Sequence, residues 1–117
     1  MKSALTREAV EKTQHIVRAT EVLQQQAPAI AQTCAEAETD TIVVATVEQD
    51  CSYGGAYAVP RSELRERVMH LEDEEGKWTL TLDPLTSVQE IEKRCSDIGR
   101  LASRRGAAIQ RWLNTNA

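Results

Sequence analysis

Apolar residues recur every seven positions near the start of the chain: Ala9, Ile16, Leu23, Ile30 and Ala37. Near its end, Val88, Ile91, Cys95, Ile98, Ala102, Ile109 and Trp112 follow a three-four spacing interrupted by Arg105. Both patterns gather apolar groups on one side of a helix. They predict a helix over residues 3–37 and a second from Ser87 to about Asn114. Ser3 or Thr6 is available as the first N-cap, and Glu8 and Glu11 suit the positive end of that helix. Pro28 falls inside the first pattern, where it removes a backbone donor and crowds the preceding turn. The heptad phase survives from Leu23 to Ile30, which favours a kink. The alternative is two helices joined near Gln26-Ala27-Pro28. Ser87, with Glu90 three residues on, forms a capping box that opens the last helix. Gly99 and Gly106 lie seven apart inside it, where they would let another backbone approach closely.

The middle of the chain changes period. Thr41 to Glu48 is short, β-branched and bounded by polar residues, as a strand is. Asp50 to Gly55 reads as a turn and Ala56 to Val59 as a second strand, stopped by Pro60, so the two form a hairpin. Residues 61–72 fit either a helix capped by Ser62 or a strand. Lys77 to Leu82 alternates cleanly. A second hairpin is preferred, with Met69 and Leu71 sharing a face with Trp78, Leu80 and Leu82. The expected fold is α+β: a small antiparallel sheet of three or four strands with two long terminal helices, in helix-strands-helix order.

Length changes this picture. The chain has 117 residues, one domain by the usual size prior. Helices over 3–37 and 87–114 would run about 50 and about 40 Å, whereas an eight-residue strand spans only about 26 Å. Both helices overhang the sheet, so their apolar stripes need cover from each other or from another chain. A homodimer is expected, its interface drawn from Ile16, Leu23 and Ile30 or from Ile98, Ala102 and Ile109.

Charge is unevenly placed. The total is −4, yet Lys93 to Ala117 holds six cations and one anion. Lys93, Arg100, Arg104 and Arg111 fall within about 40° of one another on a helix, a row able to track phosphates. The acidic total argues against general nucleic-acid affinity, and no stacking aromatic joins the row, so nucleic-acid binding ranks second to protein binding.

Catalytic chemistry finds little support. Glu8/Glu11, Glu63/Glu66 and Glu72/Glu75 share ExxE spacing, but no Lys or His completes a site. Two histidines, His15 and His70, without an HExxH pattern or a Cys/His cluster, give no basis for zinc. His15 reads as the exposed partner of Glu11. Cys34, Cys51 and Cys95 form no CxxC pair, and an odd count is no disulfide framework, which points to a reducing, cytoplasmic setting. Cys34 and Cys95 fall on or beside the apolar stripes. Cys51 sits in the turn, where only His70 is in view as a base, and nothing in the sequence forces that approach. Tyr53-Gly54-Gly55-Ala56-Tyr57 is the least ordinary string; with Trp78 it marks the candidate ligand pocket, Tyr53, Tyr57 and Trp78. No run of apolar residues is long enough to span a membrane. The expectation is a non-catalytic interaction or regulatory module without metal or cofactor. A nucleic-acid-binding accessory protein comes second, and a small-molecule binder or enzyme third.

Overall fold

The computed structural model describes residues 2–64 and 76–116. Helix α1 runs from Lys2 to Gln25 and α2 from Ala27 to Glu36. Strands β1 (Thr41–Val47) and β2 (Tyr53–Pro60) follow, then a 3-10 turn over Arg61–Glu63. Strand β3 (Trp78–Leu82) and helix α3 (Val88–Asn116) complete the order. The α+β reading holds: three antiparallel strands lie between long terminal helices. Met69 and Leu71, with the rest of 65–75, lie outside the described residues.

The expected kink at Pro28 is instead a break at Gln26, the alternative named above. Pro28 occupies the first turn of α2, where a missing N–H costs no hydrogen bond. The Gln26 N–H reaches the carbonyls of Val22 and Leu23, both at 3.1 Å, and its own carbonyl accepts from Ile30 N–H at 3.0 Å. The seam therefore crosses the joint in phase, and Leu23, Ala27, Ile30 and Cys34 are all buried. Helix α1 already includes Ser3 and Thr6, so neither is its cap. At α3 the capping residue is as read: Ser87 Oγ accepts from Glu90 N–H at 3.2 Å.

Strand β1 is central, in the order β2-β1-β3. Its run of apolar residues is buried on both faces, Val43, Ala45 and Val47 toward the helices and Ile42, Val44 and Thr46 on the other side. The tyrosine-glycine string needs correction. The tight turn spans only Glu48–Ser52, closed by Glu48 N–H to Ser52 carbonyl at 2.8 Å and Cys51 N–H to Glu48 carbonyl at 2.9 Å. Gly54 and Gly55 belong to β2 and form a bulge, since Val47 pairs with Tyr53 but Thr46 with Gly55. A Cβ on Gly54 would lie 2.4 Å from Thr46 Oγ1, and Gly55 has φ +103°; glycine meets both demands.

The core joins the C-terminal half of α1, α2, one face of the sheet and the N-terminal half of α3. Beyond it α1 and α3 run on together as a two-helix arm, and the molecule measures 51 × 28 × 21 Å. Gly99 faces Thr20 and Gly106 faces Thr13, so the helices are antiparallel. Each threonine hydroxyl donates to the carbonyl three residues back, Thr13 to Val10 at 2.7 Å and Thr20 to Val17 at 2.8 Å. The apolar stripe of α3 also needs correction at its end. Leu113 is buried and Trp112 is exposed, because the seam-facing positions Ile91, Cys95, Ala102, Gly106 and Leu113 track nearer 3.67 than 3.5 residues per turn. Ile98, expected in the core, is half-buried.

Candidate functional site

Two places gather side chains that packing alone does not use. The first is the arm. The Arg94 guanidinium donates to the Thr81 carbonyl of β3 at 2.7 Å, which identifies the side of α3 that faces the sheet. At 100° per residue, Leu101, Arg105 and Trp112 lie within about 20° of Arg94 on that side. No described strand extends beneath them. Leu101 is 64 % exposed and Trp112 48 %, two of the three large apolar residues most exposed among the described ones. A groove of about 390 Å³ runs here between the helices, lined by Ala9, Lys12, Ile16, Ile98, Leu101 and Arg105.

The expected interface residues divide accordingly. Leu23 and Ile30 are wholly covered by the chain's own core and Ala102 nearly so. Ile16, Ile98 and Ile109 stay half-buried, Ile16 and Ile98 facing the groove. Lys93, Arg100, Arg104 and Arg111 are all exposed, on the side of α3 opposite the seam; Arg100 is paired with Asp97. Charge follows the same division in space. Residues 2–14 and 99–116 carry seven cations and two anions, a net +5, and the other described residues, 15–64 and 76–98, carry five cations and eleven anions, a net −6.

The three aromatics do not converge. Tyr53 and Trp78 both pair with Val47, on the helix-facing side of the sheet. Tyr57 pairs with Val44 and therefore lies on the other face. Trp78 instead borders a cleft of about 450 Å³ against α1, with His15, Ile16 and Lys77. Of the ExxE pairs, Glu8 and Glu11 are exposed on α1. Glu66 and the Glu72/Glu75 pair fall outside the described residues. Among the described residues no three His, Cys, Asp or Glu side chains converge as metal ligands, and no helix is long and apolar enough to cross a membrane.

The second place is where the β1–β2 turn meets α1. Cys51 Sγ lies 3.4 Å from His15 Nδ1, and His15 Nε2 is buried without a hydrogen-bond partner among the described residues. Asp50 shapes the turn. Its carboxylate accepts from Ser52 O–H at 2.6 Å and Ser52 N–H at 3.0 Å, and these bonds hold its pKa below the ordinary aspartate value. Cys51 then adopts φ 65°, a conformation uncommon outside glycine and asparagine. A cleft of about 310 Å³ opens beside the pair, lined also by Glu11, Gln14, Arg18 and Asp50. His70, the base in view from sequence, lies outside the described residues. The contact with His15 spans 36 residues, and no local pattern announces it. Cys34 and Cys95 are buried, and burial pushes both thiols up from their ordinary pKa.

The chain matches no family model, no curated protein and no solved structure.

Proposed function

We propose that this chain is a non-catalytic protein-binding module that works as a homodimer, each arm lying on its partner's body. The observation that carries the reading is the sheet-facing side of the arm. There Leu101, Ile16 and Ile98 line an apolar groove with no described strand over it. Charge supports a second copy as the occupant: the arm is +5 and the rest of the described residues −6. Arm against arm would juxtapose like charges, whereas arm against body pairs opposite ones. Size points the same way. Two helices side by side over the last 19 residues of α3 present about 30 × 20 Å, roughly 600 Å². A stable interface takes about 800 Å² from each partner, so the body must supply part of it.

Sedimentation velocity tests the reading. The expected outcome is a dimer at micromolar concentration, and a monomer for Leu101→Glu with an unchanged circular dichroism spectrum. A wild-type monomer at high concentration would overturn it.

One observation favours a second reading, a nucleic-acid-binding accessory protein: four exposed cations stand in a row opposite the seam of α3. Under it, the unmodified protein binds a duplex with submicromolar affinity that falls steeply with salt, and Arg100→Glu with Arg104→Glu abolishes the complex. Under the first reading duplex binding at physiological salt stays at background.

A further inference from the structure

We infer that Cys51 and His15 form a thiol-exchange site that takes a low-molecular-weight disulfide, such as glutathione disulfide, and holds half of it as a mixed disulfide. The inference does not rest on the proposed dimer.

Three observations converge on it. The thiol and the imidazole are within hydrogen-bond distance, 3.4 Å from Sγ to Nδ1. They come from elements far apart in the chain, so the fold creates the pair. The turn holds Cys51 at φ 65° through the Asp50–Ser52 bonds, and uncommon backbone geometry of this kind gathers at functional positions. The pair also has a cleft of its own, about 310 Å³ and open to solvent, large enough to admit the reacting end of a small disulfide. Cys34 and Cys95 supply the internal contrast. Both are buried, 0 % and 1 % exposed, and both have raised pKa values from burial, so neither presents a thiolate to a reagent.

The chemistry balances without a further oxidant. The Cys51 S–H proton passes to His15 Nδ1. The thiolate attacks one sulfur of the incoming disulfide, forming the Cys51 S–S bond as the disulfide's own S–S bond breaks. The departing thiolate takes the proton from the imidazolium and leaves as a thiol. Cys51 is oxidised, and one half of the reagent is reduced. The charged groups lining the two clefts beside the pair are Glu8, Glu11, Lys12 and Arg18 from α1, Asp50 from the turn and Lys77 before β3, the last paired with Glu48 at 3.6 Å. Three of the lining groups are cations and three are anions, so the surroundings carry no excess charge and the activation of the thiol rests on His15 as the base.

The test is the rate of reaction with glutathione disulfide, with the modified cysteine located by peptide mass spectrometry across the pH range. The expected result is one glutathionyl group per chain, on Cys51. At neutral pH the native protein should react faster than the same cysteine in the urea-unfolded chain. His15→Gln should slow the neutral reaction at least tenfold, and the two rates should converge at alkaline pH, where the thiolate forms without a base. Cys51 reacting no faster folded than unfolded would overturn the inference. So would equal rates at neutral pH for the folded wild type and His15→Gln, or equal labelling of Cys34 and Cys95 in the native chain. Should His15→Gln fail to fold, the folded-against-unfolded comparison on the wild type still decides.

Discussion

At Gly106 a single hydrogen atom in place of a methyl group sets how closely two helices approach. A Cβ there would stand 2.6 Å from Thr13 Oγ1, and one at Gly99 would stand 2.8 Å from Thr20 Oγ1. Neither threonine can turn aside freely, since each hydroxyl is bonded to a carbonyl of its own helix. Alanine gains about 1 kcal/mol in helix propensity over glycine. Overpacking costs typically about 1–3 kcal/mol. Gly106→Ala should therefore destabilise by about 1 kcal/mol net in urea unfolding. Thr13→Ala should remove the clash, so the double variant should be more stable than the two single effects predict. The glycine pair was legible in the sequence as a site of close approach; its threonine partners were not, because an isolated threonine in a heptad carries no mark of what faces it. The Cys51–His15 contact was illegible for the same reason. Sequence spacing reports neighbours within an element, whereas this pair depends on where the β1–β2 turn lands on α1.

Elements were read best where one physical signal acted alone. Ser87 and Glu90 marked the start of α3 because a capping residue needs only four consecutive positions. The apolar run of β1 marked a strand, and its lack of alternation reflects burial on both faces. Two signals in competition misled. In α1 and α2 the heptad phase argued for continuity and Pro28 for interruption, and both proved compatible, since a one-residue joint keeps the phase. Gly54-Gly55 resembled a turn because turns and bulges ask the same thing of glycine. Along α3 the stripe predicted burial for Ile91 and Ile98 alike, but Ile91 is 0 % exposed and Ile98 lies at the margin of the core. Ile91→Ala should cost about 2–5 kcal/mol, the range for large-to-small core changes. Ile98→Ala should cost less, because part of its side chain already meets solvent. Chemical denaturation of both variants checks the order, and equal losses would show that the seam extends further along the arm.

Across the molecule, the lengths of the helices against the strands foretold an overhang, and α1 and α3 cover each other along it. What arithmetic on lengths could not supply was the residue left over: which side of the pair continues the plane of the sheet. That side is defined by Arg94 reaching Thr81, a contact between elements. Segregation of charge was visible as a basic tail in the sequence, but folding adds the start of α1 to it. If the arm rests on an acidic partner surface, raising ionic strength should weaken the dimer seen by sedimentation while leaving the fold intact, since exposed charges are screened within about 10 Å at 0.1 M salt. An interface held by the apolar groove alone would hold or tighten under the same change.

The antiparallel seam between α1 and α3 also imposes an order on the making of the molecule. Synthesis delivers α1 first and α3 last, with the sheet between them. Val10, Ala19 and Leu23 must therefore wait until α3 has been made for the surface that covers them. Closing that long loop is an entropic cost met late, after the β1–β2 hairpin can already form. A nascent chain paused before Val88 would present an uncovered amphipathic helix to whatever lies near the ribosome exit, and its attachment to a chaperone should end when α3 emerges.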